Sequence, residues 1–370
     1  YVEYKPVIPE KTLPTSGKRS LLEVFEYSDR NEKVMASIKR VARAGVLGTT
    51  RKYLSFFPVD QGIEHSGINS FYKHMEYFNP ATIIQRAIEF GCSGVFTTIN
   101  GLGMNSKKYA HQIPLGVKLN HNLGSFTPGA KPHQVMVTTA KQAFNLGATM
   151  VGATIFFGSP TVEQEIHEVS TAFNEAHNLG MMTVLWAYAR SDKFKVEIGK
   201  DEKDKPIIVD LHSSAVITGQ ANHLASTIIP ADIIKQKAVN MMGLKPGKES
   251  MALMGVSNLD KYENLYNAFI ARFEELLASG MDPKIVADLI RIDWARYQVL
   301  HTILPDINSG GESKGESDLV DAVKDSITNK LSGGWGMIVG RKAFQSPHDK
   351  AMKLMEAIQN VYLDTNLVPR

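Results

Sequence analysis

The fold can be predicted from the stretch AFNLGATMVGATIFF, residues 143–157, because its pattern recurs along the chain. The stretch begins like the end of a helix, continues with Gly147, and then becomes a continuous apolar run. A glycine just past a helix adopts the left-handed conformation that other residues resist. A strand that follows within a few residues is typical of the short helix-to-strand connections in α/β proteins. Since the apolar run does not alternate with polar residues, it predicts a parallel strand covered on both faces.

Two further stretches have the same pattern, AIEFGCSGVFTTING at 87–101 and EAHNLGMMTVLWAYAR at 175–190, with Gly91 and Gly180 at the turns. Extension of the pattern along the chain gives strand candidates separated by helical segments. These candidates are 53–60, 94–100, 114–120, 148–157, 182–188, 231–237, 305–310 and 336–340. Eight such units favour an α/β fold of the (β/α)8 TIM barrel type over an open sheet of five or six strands.

The connections after strands five and six are longer than a plain unit requires. The charged segment KFKVEIGKDEKDKP at 193–206 predicts an excursion or hairpin, and residues 213–227 predict a helix. Residues 238–300 predict at least two amphipathic helices, one of them ended by Gly280. We interpret both segments as insertions in strand-to-helix loops that lie over the mouth of the barrel.

The predicted domain organisation has three parts. Residues 1–45 form an N-terminal arm and helix, with helical periodicity over 21–44, and residues 46–364 form a single barrel domain. Residues 365–370 form a tail whose LVPR ending is typical of a protease-site remnant.

Composition excludes several classes of protein. Of the 370 residues, 43% are hydrophobic and 21% are charged, as in ordinary soluble globular proteins. The chain has 41 Lys and Arg against 38 Asp and Glu, without a block of like charge. The charge distribution therefore indicates neither a nucleic-acid partner nor a membrane partner. The single cysteine, Cys92, excludes an internal disulfide framework and is typical of a reducing compartment. With no apolar run of membrane length and no secretory h-region, we expect a cytoplasmic location.

Functional groups follow nearly every predicted strand, where barrels of this kind carry their active sites. These groups are Asp60, Asn100, Lys118, Asn120, Trp186, Tyr188, Arg190, Lys235, Lys237, Ser309 and Arg341.

The strand ADIIKQK at 231–237 ends in two lysines, Lys235 and Lys237, on alternate positions and therefore on one face. A lysine at an apolar barrel mouth is desolvated and loses proton affinity, and a second ammonium lowers that affinity further. A neutral amine in such a place can attack a carbonyl and form a Schiff base. The alternative is that one lysine faces inward and the other pairs structurally with Asp60 or Glu64.

WAYAR, at 186–190, places Trp186, Tyr188 and Arg190 on one face. A tyrosine hydroxyl beside a lysine can donate and accept a proton, and an arginine fork fits a carboxylate or phosphate. The alternative is an aromatic pair that packs the barrel interior.

Two glycine turns after strands seven and eight predict a phosphate site, which barrels commonly form there. One turn contains Ser309, Gly310 and Gly311, and the other contains Gly340 and Arg341. Metal binding is not indicated, because the histidines form no HExxH or HxxxH motif and one cysteine cannot form a Cys-x-x-Cys pair. We therefore assign no metal and no cofactor.

Together these features resemble the archaeal-type class I fructose-1,6-bisphosphate aldolases, in particular their longer bacterial branch. The resemblance covers roughly residues 52–364 in family order. The matching segments are FPVDQGIEHS, YAHQIPLGVKLNHN, GATIFFGS, GMMTVLWAYAR, TGQANHLAST, ADIIKQK, INSGG and GRKAF.

The resemblance implies a metal-independent (β/α)8 barrel of glycolysis and gluconeogenesis. It would reversibly cleave fructose 1,6-bisphosphate into dihydroxyacetone phosphate and glyceraldehyde 3-phosphate. By motif position Lys235 is the Schiff-base lysine, Tyr188 the general acid/base, and Asp60 an orienting and proton-shuttling group. The implied substrate-binding residues are Trp186, Arg190, His65, Lys237, Ser309, Gly310, Gly311, Gly340 and Arg341. The family is oligomeric, so a homo-octamer or homo-decamer is also implied.

Two departures from shorter archaeal members affect substrate selectivity more than the reaction. Gln61 stands where they commonly have His, and Ala189 where they have Pro. One alternative is a related Schiff-base lyase or transferase acting on another phosphorylated ketose. Another is a non-catalytic scaffold, which predicts no imine adduct.

Overall fold

The computed structural model describes residues 1, 3–58, 62–124, 133–240, 244–256 and 265–369. Eight parallel strands in this part of the chain close into a barrel, and each strand pairs with the next along the chain until the last pairs with the first. The strands are β1 Leu54–Pro58, β2 Gly94–Thr97, β3 Leu115–Lys118, β4 Met150–Phe157, β5 Met182–Ala189, β6 Ile233–Lys237, β7 Asp306–Ser309 and β8 Gly336–Ile338. The (β/α)8 prediction is confirmed, and one barrel strand lies within each of the eight candidate segments. Residues 59 and 60 of the first candidate lie outside the described residues.

Helices surround the barrel and connect its strands. Within the described residues the α-helices are Leu21–Phe25, Glu32–Ala42, Gly67–Phe71, Pro80–Glu89, Ile99–Tyr109, Ala140–Asn145, Val162–Leu179, Ala215–Ile228, Leu244–Leu253, Leu265–Ala278, Pro283–Leu300, Asp318–Leu331, Arg341–Phe344 and His348–Leu363.

The glycine turns that predicted the fold have the expected conformation. Gly91, Gly147 and Gly180 have φ values of 63°, 91° and 90°, in the region that a side chain disfavours. Every residue of β4 is buried, which agrees with a strand covered by the barrel interior on one face and by helices on the other.

Both insertions are present. An antiparallel hairpin of Lys195–Lys200 and Pro206–Asp210 follows β5. After β6, the helices Leu244–Leu253 and Leu265–Ala278 precede the helix Pro283–Leu300. Gly280, with φ 81°, lies just past the second of these helices, as predicted.

Two local predictions are wrong. The segment 21–44 is divided into two helices, because Asn31 caps the second one by accepting hydrogen bonds from the backbone of Lys33 and Val34. Asn100 does not end a strand. The Thr98 hydroxyl accepts from the Gly101 N–H and starts the helix Ile99–Tyr109, which contains Asn100.

The N-terminal arm packs against the insertion after β6. Tyr4 and Ile8 share an apolar cluster with Phe269 and Trp294 of the insertion helices. The carbonyl of Ile8 also accepts from the buried Arg296 guanidinium at 2.5 Å. The division into 1–45, 46–364 and 365–370 stays a prediction. No helix in the described ranges is long and apolar enough to cross a membrane.

Candidate active site

The two lysines of β6 face the barrel interior at its carboxyl-terminal end. The Lys235 ammonium lies 4.9 Å from the centroid of the Trp186 ring and 5.3 Å from that of Tyr188. The Lys237 ammonium lies 5.8 Å from the same Tyr188 ring. Each strand thus has the shared face that its alternation predicted, and the pairing of β5 with β6 brings both lysines and both aromatic residues together.

Lys235 is buried beside two aromatic rings. Only 7% of the residue is exposed, and among the described residues no hydrogen bond or ion pair holds its ammonium. Glu64, one of the two carboxylates considered as a structural partner for these lysines, pairs with Lys118 instead. Asp60, the other, lies outside the described residues.

Lys118, which the sequence shows as a polar strand end without a catalytic or binding role, lies in the site. It ends β3, is 1% exposed, donates to Glu64, and places its ammonium 5.8 Å from the Trp186 ring centroid. His121 Nδ1 lies 3.8 Å from Glu64 Oε1. Trp186 thus has lysines from two strands near its ring. The signal for Lys118 in the sequence is its position as a polar residue at the end of a strand.

A glycine makes room for the Trp186 ring. A Cβ on Gly152 of β4 would lie 2.4 Å from the ring, closer than side-chain atoms approach each other. Phe96 also packs edge-on against the Trp186 ring, with 5.0 Å between the ring centroids. The ring position next to Lys235 therefore depends on the absence of a side chain at Gly152.

We expect Gly152→Ala to lower the free energy of unfolding by about 1–3 kcal/mol, because the added methyl group overpacks the barrel interior. It should also lower turnover, since the Trp186 ring must move. Urea unfolding and steady-state kinetics would measure both effects. Gly103→Ala is the control, because its Cβ would lie 3.6 Å from Leu146 inside a helix. Equal stability of Gly152→Ala and wild type would contradict this packing account.

Lys237 is largely buried and lies near charged groups of both signs. Burial, and next the Arg190 guanidinium, lower the pKa of Lys237 to about 7, while Asp210 acts in the opposite direction. Arg190 itself lies 6.0 Å from the Tyr188 ring centroid. Asp210 ends the hairpin inserted after β5, so this insertion reaches the electrostatic environment of the site.

The two predicted phosphate turns lie side by side at the ends of β7 and β8. The backbone N–H of Gly310 donates to the carbonyl of Ile338 at 3.0 Å, so this N–H does not face a ligand as the turn had suggested. Gly311 is exposed and has φ 71°. Gly340 is the N-cap of the short helix Arg341–Phe344, and Ser309 is partly exposed at the end of β7.

Arg341 pairs with Glu312, which the sequence reasoning missed. Arg341 lowers the pKa of Glu312, and His65 and Lys237 contribute in the same direction. His65 is exposed, and its effect on Glu312 places it near the turns after β7 and β8. In this structure the Glu312 carboxylate is bound to the Arg341 guanidinium, which was predicted to bind a phosphate.

Within the described ranges, no group of three or more His, Cys, Asp or Glu residues is arranged to hold a metal ion. The functional groups that β5 and β6 carry are cations and aromatic rings, and the carboxylates Asp210 and Glu312 lie near the cations. An arrangement of this kind fits an anionic substrate with a carbonyl group.

Comparison with known proteins confirms the family. The model of the DeoC/LacD family aldolases matches residues 54–346. A Chlamydia trachomatis protein named probable fructose-bisphosphate aldolase class 1 is 39% identical over 99% of this chain and 95% of its own. A Chlamydia pneumoniae protein of the same name is 40% identical over 93% of this chain and 88% of its own.

Solved structures confirm the fold. An archaeal fructose-1,6-bisphosphate aldolase, with its catalytic lysine bound to the carbinolamine intermediate, matches with a TM-score of 0.59 at 20% identity. That match covers 88% of this chain and 98% of the archaeal one. The fructose-bisphosphate aldolase of Slackia heliotrinireducens matches with a TM-score of 0.62 at 15% identity, over 91% of this chain and 87% of its own. The family model and the two relatives show that the chain belongs to the DeoC/LacD family of aldolases.

Proposed function

We propose that this protein is a class I aldolase that reversibly cleaves fructose 1,6-bisphosphate into dihydroxyacetone phosphate and glyceraldehyde 3-phosphate. The observation that carries the proposal is the Lys235 ammonium, which lies in a buried position between the Trp186 and Tyr188 rings. A lysine removed from water in this way is suited to attack a carbonyl. The curated relatives with this name support the choice of substrate.

Lys235 is the proposed nucleophile. Its neutral amine attacks the ketone carbon C2 of the open-chain sugar to give a carbinolamine, and loss of water gives a protonated imine. The imine draws the electron pair of the C3–C4 bond toward nitrogen. That bond then breaks, and the C4 hydroxyl becomes the aldehyde of glyceraldehyde 3-phosphate. The remaining enamine is protonated at C3, and hydrolysis of the imine releases dihydroxyacetone phosphate and the free lysine.

Tyr188 is the proposed acid/base that accepts the C4 hydroxyl proton during cleavage. Its ring lies within 6 Å of the ammonium groups of both lysines, which supports a position beside the reacting carbons. Asp60 is proposed, from its place in the FPVDQG segment alone, as an orienting and proton-shuttling group.

The two phosphates are proposed to occupy opposite sides of the mouth. Arg190 binds the distal phosphate, and the turns at Ser309–Gly311 and Gly340–Arg341 bind the phosphate next to the ketone, with Lys237 and His65 nearby. In the free enzyme Glu312 takes the place of that second phosphate on Arg341. A phosphate dianion can displace it, because it offers more charge and more acceptor oxygens to the guanidinium.

Affinity for the substrate is expected to depend on pH through Lys237, whose pKa is lowered to about 7. The lysine is positively charged below that pH and neutral above it. KM for fructose 1,6-bisphosphate should therefore rise as the pH increases through about 7. Steady-state kinetics from about pH 6 to about pH 9 would measure this rise. Lys237→Arg keeps its charge over the whole range, so its KM should change less. An identical pH dependence in both proteins would contradict the assignment.

A related lyase or transferase acting on another phosphorylated ketose would use the same residues. Cleavage assays with fructose 1,6-bisphosphate and other ketose phosphates, all with EDTA present, separate the two reactions. The proposed function requires fructose 1,6-bisphosphate to have the highest kcat/KM. Cleavage of any of these substrates would exclude the alternative that the protein is a non-catalytic scaffold.

We also propose that the protein is a cytoplasmic homo-oligomer. The resemblance to oligomeric aldolases supports an octamer or decamer, which light scattering on the purified protein would test. The single buried cysteine, Cys92, supports a reducing compartment, which cell fractionation would test.

A further inference from the structure

A chain of buried side-chain amides lies outside the barrel, directly behind the two lysines. Gln236 alternates with Lys235 and Lys237, so its side chain points away from the barrel interior, and the residue is fully buried. Its Nε2 donates to the carbonyl of Ala187 on β5 at 2.5 Å and to Asn222 Oδ1 at 3.0 Å. Its Oε1 accepts from the backbone N–H of Lys237 at 2.8 Å.

A second glutamine, Gln298, donates a hydrogen bond to the backbone carbonyl of Lys237. Gln298, in the helix Pro283–Leu300, donates through Nε2 to the carbonyl of Lys237 at 3.0 Å and to Thr218 Oγ1 at 2.7 Å. The N–H and the carbonyl of Lys237 are therefore both bonded to side-chain amides. Neither glutamine needs to contact the substrate to act on the lysines.

These amides lie where backbone pairing on one side of β6 ends. Backbone pairing between β5 and β6 begins where Val184 lies opposite Ile233. It ends where Trp186 lies opposite Lys235. Pairing between β6 and β7 continues as far as Lys237 and Ser309. Beyond Lys235 the two strands that carry the lysines and Tyr188 are thus linked by the Gln236 amide and no longer by the ladder.

We propose that Gln236 and Gln298 are positioning residues of the aldol reaction, which hold the end of β6 so that Lys235 and Lys237 keep their distances from Tyr188. This inference rests on the proposed function. It follows from geometry, because a shift of the backbone at Lys237 is transmitted to a nucleophile two residues away. Displacement of a reacting group by about 1 Å can cost on the order of 100-fold in rate.

The test variant is Gln298→Met, which keeps the length of the side chain and removes its donors to Lys237 and Thr218. The matched control is Gln359→Met. Gln359 is also buried, but its Nε2 donates to the carbonyl of Phe90 at 2.8 Å, behind the amino-terminal half of the barrel. Both variants lose one buried amide, so similar losses of stability are expected. Urea unfolding, kcat, KM and the rate of borohydride-trapped adduct formation are measured for each.

We expect Gln298→Met to lower kcat and the trapping rate by about tenfold or more, and to raise KM as well, because the Lys237 carbonyl loses its partner. We expect Gln359→Met to keep both rates within about twofold of wild type, since it lies far from the lysines. If Gln298→Met does not fold, Thr218→Val replaces it. That variant removes only the hydroxyl that orients the Gln298 amide, and should lower the trapping rate by about threefold.

Two results would overturn the inference while leaving the proposed function intact. The first is a folded Gln298→Met or Thr218→Val that traps adduct at the rate of active wild type. The second is an equal loss of rate in Gln359→Met. A wild type that forms no adduct would overturn the proposed function, and this inference with it.

Discussion

Lys235→Ala is expected to lower kcat for fructose 1,6-bisphosphate cleavage by about 10⁴-fold or more, because no other group can form the imine from the same position. The loss should appear in kcat and in kcat/KM alike, since the covalent bond forms only along the reaction path. A coupled assay that follows release of the triose phosphates measures it.

Lys237→Ala and Lys118→Met are the controls for this experiment. Each removes an ammonium that lies within 6 Å of one of the two rings beside Lys235, Trp186 for Lys118 and Tyr188 for Lys237. Lys237→Ala should raise KM but still form the imine. If Lys237→Ala lost all activity and Lys235→Ala kept it, the two lysines would have the reverse roles.

Tyr188→Phe is expected to lower kcat by about 10²- to 10⁴-fold with KM little changed, because it removes the proposed acid/base and keeps the ring. Imine formation should persist, since the ring beside Lys235 remains and the missing hydroxyl acts in carbon–carbon cleavage. Steady-state kinetics and borohydride trapping with dihydroxyacetone phosphate measure the two effects separately.

Tyr109→Phe is the matched control, since Tyr109 is a buried tyrosine at the end of the helix Ile99–Tyr109, away from β5 and β6. It should retain wild-type kcat. A Tyr188→Phe variant with kcat within about twofold of wild type would show that another group accepts the C4 proton.

Much of the fold was predictable because its signals are local. Gly147 and Gly180 mark helix ends by a backbone conformation that one residue type prefers, and the strand β4 is apolar throughout because both of its faces are buried. The shared face of Lys235 and Lys237 follows from the two-residue period of a strand. Each of these inferences needs only a few adjacent residues.

Other parts of the site depend on contacts between distant segments. Glu312 was not assigned to the phosphate turns, since its pairing with Arg341 requires β7 and β8 to be neighbours. Lys118 ends a strand, but its partner Glu64 lies 54 residues earlier in the chain. The break before Glu32 depends on a single capping side chain, which a helical period does not reveal.

The most direct test of the account is borohydride reduction of the wild-type enzyme with dihydroxyacetone phosphate in the presence of EDTA, followed by mass spectrometry of its peptides. We expect one modified lysine, Lys235, in the peptide that contains ADIIKQK. Modification of Lys237 or Lys118 instead, or no modification of a protein that still cleaves the substrate, would contradict it.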